Sequence, residues 1–407
     1  MNVPKSPLTL DVFFPERTLI APLTTMDVTH RIFEGEFRLD TVTGNSLAIA
    51  GKMPLICSNN VATLEILDFF RLSGLEPARN LYTYQDQEEA IEYAKQFIAK
   101  GWKVLYSYPP PPALGSGHGL VVPIALYSYL NDKASIDDLV DEEDLPPHVF
   151  VGADDLDPVN NIFKERSVFI KACSNEVSGG GADVLYCPDL DARTCFPEWL
   201  SARSKGLSGV RVELALDIET SWCINVAIRE EKSNYLGAAI QLFEEPARQE
   251  GSRIDPDKAP SEETVRIALG IAERGRSLGF RGIAGFDIGE DRSGKPFVFD
   301  LNFRFVSSTG QVLLHEWATE RVKARVSESW GCFVPGPLAP ALDRILEYAQ
   351  KGLFVPTRLY EGTDLSDGRS LITGFIVADS PREIAIIGQK IQNALGEMLE
   401  KEQVVDL

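Results

Sequence analysis

Polar side chains alternate with large apolar ones along the segment "FVFDLNFRF", residues 297–305. The polar positions are Asp300, Asn302 and Arg304. The apolar positions between them are Phe299, Leu301, Phe303 and Phe305. Because successive side chains of a β-strand point to opposite faces, this pattern predicts a polar row on one face and a core-packed apolar row on the other. A carboxylate, an amide and a guanidinium in one row can together bind a ligand.

A second carboxylate lies thirteen positions earlier, at Asp287 in the segment "GIAGFDIG". The intervening "EDRSG" predicts a hairpin that places the two strands side by side. Two carboxylates and the Asn302 amide oxygen are hard oxygen ligands of the kind Mg²⁺ takes together with phosphate oxygens. The alternative is an edge hairpin with solvated polar groups. The apolar reverse face favours the metal site, because polar groups in a packed sheet need an ion, a ligand or water as partner.

Lys171 lies in the apolar strand pattern "SVFIKACS", and Gly179, Gly180 and Gly181 follow it in "NEVSGGGADV". A glycine-rich turn lets backbone N–H groups approach a phosphate closely, and a lysine adds positive charge. The spacing is not that of the GxxxxGK[ST] loop. Taken alone, the pattern fits a surface lysine before a flexible loop better than a phosphate site.

Two glutamates, Glu213 and Glu219, flank a short apolar hinge that runs from Leu214 through Leu216 to Ile218. Apolar walls and backbone groups suit an adenine ring, and a carboxylate can accept the hydroxyl protons of a ribose. Taken alone, either glutamate fits an ordinary surface position better.

The bulk composition excludes several classes of protein. Sixty acidic and forty basic residues give a net charge of −20, which argues against a nucleic-acid binder. No apolar run is long enough for a membrane span, and the start "MNVPKSPLTLDVFF" lacks the regions of a signal peptide. The six cysteines show no CxxC spacing and the four histidines are far apart, which favours the reducing cytoplasm over a zinc or disulfide protein.

The elements that position these residues follow two patterns. Residues 52–107 alternate strand and helix patterns, which predicts a small parallel α/β unit. Beyond Val149, strands separated by long loops precede a clear helix, which Ser261 can cap and Gly279 can end. A strand at "SLITGFIVAD" and a helix at "PREIAIIGQKIQNALGEML" are predicted in the C-terminal tail.

Taken in order, these segments resemble the ATP-grasp superfamily of carboxylate–amine ligases. The order is "NDK", a lysine-bearing strand, a glycine-rich loop, a glutamate-bearing hinge and "GFDIGEDRSGKPFVFDLNFR". The last segment is the most specific, because the superfamily pattern is a metal-binding Asp, an Asp–Gly turn and (D/E)-x-N-x-R. Asp291 and Gly294 supply the turn here, and the resemblance covers residues 52–330.

The resemblance implies ATP as a co-substrate and two Mg²⁺ ions, ligated by Asp287, Asp300 and Asn302. The residues implied to contact the nucleotide are Lys133 of "NDK", Lys171, Gly179, Gly180, Gly181, Glu213, Leu214, Leu216 and Glu219. Arg304 would lie beside the γ-phosphate and the developing acyl phosphate. Arg304 and Lys171 are therefore the implied catalytic residues.

Two features depart from the superfamily pattern. Some members carry an arginine where this chain has Ala284, so oxyanion stabilisation would fall on Arg304 alone or on Arg281. The usual Asn-Pro-Arg is "NFR" here. The three hydroxyl residues that follow either contact the acyl substrate or cap the strand end: Ser307, Ser308 and Thr309.

The resemblance also implies the architecture, an α/β chain with the α+β ATP-grasp fold. A Rossmann-like parallel domain would precede two α+β subdomains that clamp ATP. The expected divisions are an N-terminal extension and α/β domain at 1–125, a small subdomain (the lid) at 126–215, a catalytic subdomain at 216–330 and a C-terminal subdomain at 331–407.

The implied reaction forms an amide or peptide bond. A substrate carboxylate attacks the γ-phosphorus of ATP, an amine then displaces phosphate from the acyl phosphate, and a closed lid excludes water. The expected substrates are small-molecule carboxylates and amines, such as amino acids or a small peptide in secondary-metabolite biosynthesis. A homodimer is compatible with the superfamily.

Three alternatives stay open at this point. They are lactam formation within one substrate, phosphotransfer to a stable product, and a non-catalytic nucleotide-binding relative. The intact metal-ligand set and Lys171 argue against the last, because a degenerate relative is expected to lose those residues.

Overall fold

The computed structural model describes residues 6–21, 39–107, 110–115, 117–174, 181, 183–201, 206–363 and 368–398. Its strands form a parallel four-stranded sheet, an antiparallel four-stranded sheet and an antiparallel eight-stranded sheet. This mixture of helices with one parallel and two antiparallel sheets confirms the predicted fold class. Among the described residues, no helix has the length and apolarity needed to cross a bilayer.

The N-terminal sheet is entirely parallel and has the order β3-β2-β1-β4. Its strands are β1 (Thr18–Ile20), β2 (Leu55–Ser58), β3 (Leu81–Tyr84) and β4 (Lys103–Leu105). Parallel strands need crossover connections, and α1 (Leu64–Leu72) and α2 (Gln87–Ala99) supply them. The patterns at 52–107 therefore form the predicted parallel unit. The strand β1 joins its centre from the first fifty residues, where no strand was predicted.

The antiparallel four-stranded sheet has the order β5-β8-β6-β7 and lies within residues 126–215, the region predicted to be the lid; that name is kept for it below. Two helices precede it, α3 (Ile124–Asn131) and α4 (Ile136–Leu139). Its elements are β5 (His148–Gly152), β6 (Val168–Ser174), β7 (Val184–Cys187), α5 (Phe196–Ser201) and β8 (Leu207–Leu214). Ile170 and Val212 lie in its apolar core. Because side chains alternate along a strand, Lys171 and Arg211 face the opposite side of the sheet.

The largest sheet has the order β13-β12-β9-β10-β11-β14-β16-β15. Its strands are β9 (Ile218–Ile228), β10 (Ser233–Glu245), β11 (Arg248–Ile254), β12 (Gly282–Asp291), β13 (Pro296–Asn302), β14 (Val326–Pro335), β15 (Phe354–Tyr360) and β16 (Arg369–Ala378). Its helices are α6 (Glu262–Leu278), α7 (Ser307–Val322), α8 (Ala339–Gln350) and α9 (Pro381–Leu395). The boundary predicted at 330/331 falls inside β14, and the one at 125/126 falls inside α3.

The helix α6 anchors the hairpin of β12 and β13. Its first turn is capped by Ser261, whose hydroxyl accepts the N–H of Thr264 at 3.2 Å, and it ends at Gly279 with a φ of 109°. Both ends were predicted. Its buried residue Ile271 belongs to the same apolar cluster as Leu301 of β13. The apolar face of the hairpin is thus fixed in a core, which holds its polar face in place.

Candidate active site

The hairpin of β12 and β13 brings the predicted metal ligands together. Asp287 pairs directly opposite Asp300, so their side chains share one face of the sheet. Asn302 lies two residues further along β13 on that face, and its amide nitrogen is 3.4 Å from an Asp300 carboxylate oxygen. Although β13 is an edge strand, all three residues line a cavity rather than the open surface.

A β-bulge in β13 corrects one detail of the predicted alternation. Asp287 pairs with Asp300 while the next residue, Ile288, pairs with Val298, which leaves Phe299 without a partner. Bulges redirect side chains near active sites. Phe299 accordingly lines the cavity, whereas Val298 is fully buried in the core. The expectation that Phe299 packs in the core is therefore wrong, because strict alternation does not survive a bulge.

The two aspartates have opposite electrostatic surroundings. Burial and the neighbouring Asp300 carboxylate raise the pKa of Asp287 to about 7. Burial also acts to raise the pKa of Asp300, but Lys133 and Lys171 outweigh it and hold that pKa below its ordinary value. Two adjacent, partly buried carboxylates favour a bound cation. Among the described residues no cluster of three His, Cys, Asp or Glu forms a metal site, so this donor set is two carboxylates and one amide.

Two lysines, of which Lys171 is buried and Lys133 partly buried, connect the hairpin to its surroundings. Lys133 Nζ lies 2.9 Å from an oxygen of Asp300 and 3.2 Å from one of Asp183, which precedes β7 in the lid. Lys171 Nζ donates to the Phe299 carbonyl oxygen at 2.7 Å and pairs with Glu213 at 2.7 Å. Lys171 is only 6% exposed, so the surface-lysine interpretation is wrong. Both ammonium groups lie where a phosphate chain beside the aspartates would meet them.

A chain of buried charges supports Lys171 from within the lid. Glu213 is 1% exposed and lies between Lys171 and Arg211, whose Nε is 2.8 Å from it. Arg211 also donates to Asp137 at 2.6 Å. The surface interpretation of Glu213 is therefore wrong, because two cations compensate its burial. Glu219, by contrast, is exposed at the start of β9.

A single cavity of about 840 Å³ joins the lid, the hinge and the large sheet. The hinge contributes Ala215, Leu216 and Glu219 to its wall. Gly181 of the lid also lines it, with a φ of +75°, and a Cβ there would lie 1.9 Å from the Ala247 carbonyl oxygen. Only glycine can make this approach of the lid to the β10–β11 turn.

The start of α7 closes one end of the cavity. Ser307 lines it, whereas Ser308 and Thr309 are buried and bind Asn225 of β9. The Asn225 amide donates to Ser308 Oγ at 3.1 Å, and Thr309 Oγ1 donates to the Asn225 amide oxygen at 2.8 Å. The Val306 N–H also donates to Thr309 Oγ1 at 3.0 Å. The capping alternative therefore describes Thr309, and Ser308 serves to fix α7 on the sheet.

Comparison with known families gives the same assignment as the site. Residues 9–128 match the model of the L-aspartate--L-methionine ligase N-terminal domain. Residues 148–302 match the model of the L-aspartate--L-methionine ligase ATP-grasp domain, and the two matches together span more than half of the chain. The chain belongs to the ATP-grasp superfamily of carboxylate–amine ligases. The predicted superfamily is confirmed, and this ATP-grasp chain is an enzyme of the ligase class.

Solved structures share the fold of this ATP-grasp ligase along nearly its whole length. Carboxyaminoimidazole ribonucleotide synthase from Aspergillus clavatus, complexed with ATP, has a TM-score of 0.56 at 10% identity and covers 94% of this chain and 99% of its own. A second similar structure is the biotin carboxylase domain of 2-oxoglutarate carboxylase from Hydrogenobacter thermophilus, in complex with MgADP and bicarbonate. Its TM-score is 0.52 at 14% identity, and the match covers 94% of this chain and 90% of that domain. These similarities concern the fold.

Most of the predicted site residues of the ATP-grasp ligase line the one cavity. They are Lys133, Lys171, Gly181, Glu213, Leu216, Glu219, Asp287, Asp300, Asn302, Arg304 and Ser307. Leu214 is outside that wall and pairs with Val168 in the lid sheet. Gly179 and Gly180 lie outside the described residues.

The structure does not place Arg281 at the site. Arg281 precedes β12 and lies six residues from Asp287, about 20 Å along an extended strand. Its Nε pairs with Glu230 at 2.7 Å, and its Nη1 donates to backbone carbonyl oxygens of Arg276 and Phe280. Of the two arginines considered for oxyanion stabilisation, Arg304 is the one that lines the cavity.

Three residues of the ATP-grasp site were missed. Asp183 and Arg211 contact the two lysines or their partner, and Asn45 brings the N-terminal domain to the cavity wall. The pattern "RVE", with two charges two residues apart in an apolar strand, was a signal for Arg211. Asp183 lies in a turn before β7 and Asn45 in the 3-10 helix Leu39–Ser46, and neither segment has a periodicity that marks a side chain as part of a site.

Proposed function

We propose that this ATP-grasp ligase joins two amino acids, with aspartate as the carboxylate substrate and methionine as the amine. The description of both matched family models supports the substrates. The observation that carries the reaction class is the Asp287–Asp300 pair, opposed on one face and flanked by Lys133 and Lys171 in a cavity of about 840 Å³. That cavity is of the size that encloses ligands as large as a nucleotide.

ATP is the proposed co-substrate, and Mg²⁺ the proposed metal. Asp287, Asp300 and Asn302 would hold Mg²⁺, with two ions expected from the superfamily resemblance. Bound there, Mg²⁺ neutralises negative charge on the phosphates and on the transferring phosphoryl group. The hinge from Ala215 to Glu219 would hold adenine and ribose, which places the triphosphate toward Lys133 and Lys171.

The residues of the chain would act mainly by positioning and charge. The substrate carboxylate forms a bond to the γ-phosphorus, the bond to the bridging oxygen breaks, and ADP leaves. Lys133, Lys171 and Arg304 offset the charge that spreads over the phosphoryl oxygens. The amine nitrogen then bonds to the acyl carbon, phosphate leaves, and the amine proton passes to phosphate or solvent. Phe299 and the lid keep water from the acyl phosphate.

The substrates would bind at the end of the cavity away from the hinge. Arg304, Ser307 and Asn45 line the cavity, and they would face the substrates there. Arg304 is 9% exposed, so its charge is little screened and can attract a substrate carboxylate. The Asn45 amide can donate to a carboxylate or accept from an ammonium group, which suits an amino acid.

The proposed reaction is tested by incubating the enzyme with ATP, Mg²⁺ and pairs of amino acids, and measuring ADP and product mass. We expect ADP release that depends on aspartate and methionine, with a product equal to their sum minus one water. A product one water lighter than a single precursor would replace this proposal with lactam formation. A stable phosphorylated product would indicate phosphotransfer. Binding of ATP without any turnover would indicate a non-catalytic protein.

The metal assignment is tested separately. Asp300→Ala and Asn302→Ala should each abolish ADP release while leaving the thermal unfolding midpoint close to that of the wild type. Undiminished ADP release in either variant would contradict the assignment.

A further inference from the structure

One carboxylate of the cavity has no role in the proposed reaction. Asp183 belongs to the lid, lines the cavity and is 18% exposed. Its oxygen lies 3.2 Å from Lys133 Nζ, which is itself 2.9 Å from Asp300. Lys133 therefore joins the lid to the hairpin that carries the metal ligands. We propose that Asp183 is a positioning residue, which holds Lys133 at the phosphate end of the cavity.

The backbone segments that carry the two residues of this ion pair are each held by hydrogen bonds. Lys133 starts a 3-10 turn, Lys133–Ser135, in which the Asp132 side chain accepts the N–H of Ala134 at 2.9 Å. Ser135 Oγ donates to the Tyr129 carbonyl oxygen at 2.7 Å and ties the turn to α3. The carbonyl oxygen of Asp183 accepts the N–H of Ala172 in β6 at 3.0 Å. The salt bridge thus joins two hydrogen-bonded backbone segments, so it can set the position of the long lysine side chain.

The charges around Lys133 explain why a second carboxylate is needed. The Lys133 side chain is 12% exposed, and its Nζ lies between the carboxylates of Asp183 and Asp300. When Asp300 binds a cation, its charge is no longer available to Lys133 alone. Asp183 then remains as the ion-pair partner that holds the ammonium group of Lys133 in the cavity.

A positioning role and simple charge repulsion predict opposite changes in nucleotide affinity when the Asp183 carboxylate is removed. A carboxylate beside a polyphosphate site repels the ligand, so its removal by itself strengthens nucleotide binding. A carboxylate that positions a phosphate-binding lysine has the reverse effect, and its removal weakens binding. The direction of the change therefore distinguishes the two roles.

The experiment measures ADP affinity by calorimetry, with Mg²⁺ and in EDTA, for the full-length protein. It rests on the proposed nucleotide site but needs neither amino acid, so a wrong substrate assignment would leave its result unaffected. The variants are Asp183→Asn, Asp183→Glu, Lys133→Met and the double variant Asp183→Asn/Lys133→Met. Asp154→Asn is the matched control, because Asp154 is exposed in the lid and outside the cavity.

We expect Asp183→Asn to weaken ADP binding about tenfold, the loss of one charge-assisted contact, in both conditions. Asp183→Glu should restore most of the affinity, and Asp154→Asn should bind as the wild type does. In the Lys133→Met background, Asp183→Asn should cause no further loss of affinity, since the lysine it positions is gone. Unchanged or tighter binding by Asp183→Asn, or an equal loss in the Lys133→Met background, would overturn the proposal.

Discussion

Replacing Glu213 by glutamine removes the central charge of the ion chain in the lid while keeping the shape of the side chain. Glu213 accepts from Lys171 at 2.7 Å and from Arg211 at 2.8 Å, and its side chain is 1% exposed. After the change, two buried cations would face a neutral amide. Lys171 keeps the Phe299 carbonyl oxygen, and Arg211 keeps Asp137, which is 42% exposed.

The expected cost follows from these remaining contacts. Removing one partner of a buried ion pair costs about 3–5 kcal/mol, because a buried charge loses its compensation. Both cations keep a second partner, so the lower end, about 3 kcal/mol, applies here. This energy corresponds to an increase of about a hundredfold in the equilibrium constant for local unfolding of the lid.

Hydrogen exchange of the lid measures this loss directly. The amides of β6 and β8 should exchange about a hundredfold faster in Glu213→Gln than in the wild type. Glu198→Gln is the matched control, since Glu198 is exposed on α5 of the same subdomain. Exchange within threefold of the wild type would show that the ion chain contributes little, and would refute the compensation described for Glu213.

Three further predictions follow from the structure. Arg193 donates to five backbone carbonyl oxygens between residues 159 and 166. Arg193→Lys should therefore destabilise the lid by about 2 kcal/mol, measured by the same hydrogen exchange. Unchanged exchange rates would contradict this. Because Asp287 has a pKa of about 7 and must lose its proton to bind a metal, Mg²⁺ affinity should fall about tenfold per pH unit below 7 in calorimetric titrations and level off above 8; a flat profile would contradict it. Asn45→Ala should raise KM for an amino acid and leave ADP affinity unchanged; a change in ADP affinity instead would place Asn45 elsewhere.

Local signals sufficed for the elements that carry the predicted metal ligands. Ser261 and Gly279 set the ends of α6 through capping and a left-handed backbone, both of which depend on neighbouring residues only. The hairpin followed from period-two alternation and the Gly294 turn. These features placed Asp287 and Asp300 side by side before any tertiary contact was known.

Long-range pairing accounts for what the sequence did not show. β14 and β16 belong to the same sheet as the hairpin of β12 and β13. No local sequence pattern specifies which sheet a strand joins. Lys171 and Glu213 meet across β6 and β8, so each looked like a surface residue when taken alone. The bulge at Phe299 is one extra residue, and alternation has no signal for it.

An oxygen-transfer experiment directly tests whether a substrate carboxylate attacks ATP to give an acyl phosphate. The enzyme is incubated with ATP, Mg²⁺, methionine and aspartate labelled with ¹⁸O in its carboxyl groups, and the released phosphate is analysed by mass spectrometry. The account predicts one ¹⁸O atom in each released phosphate, because the carboxylate oxygen that bonds to phosphorus leaves with it. Phosphate free of ¹⁸O, released together with an amide product, would contradict the account.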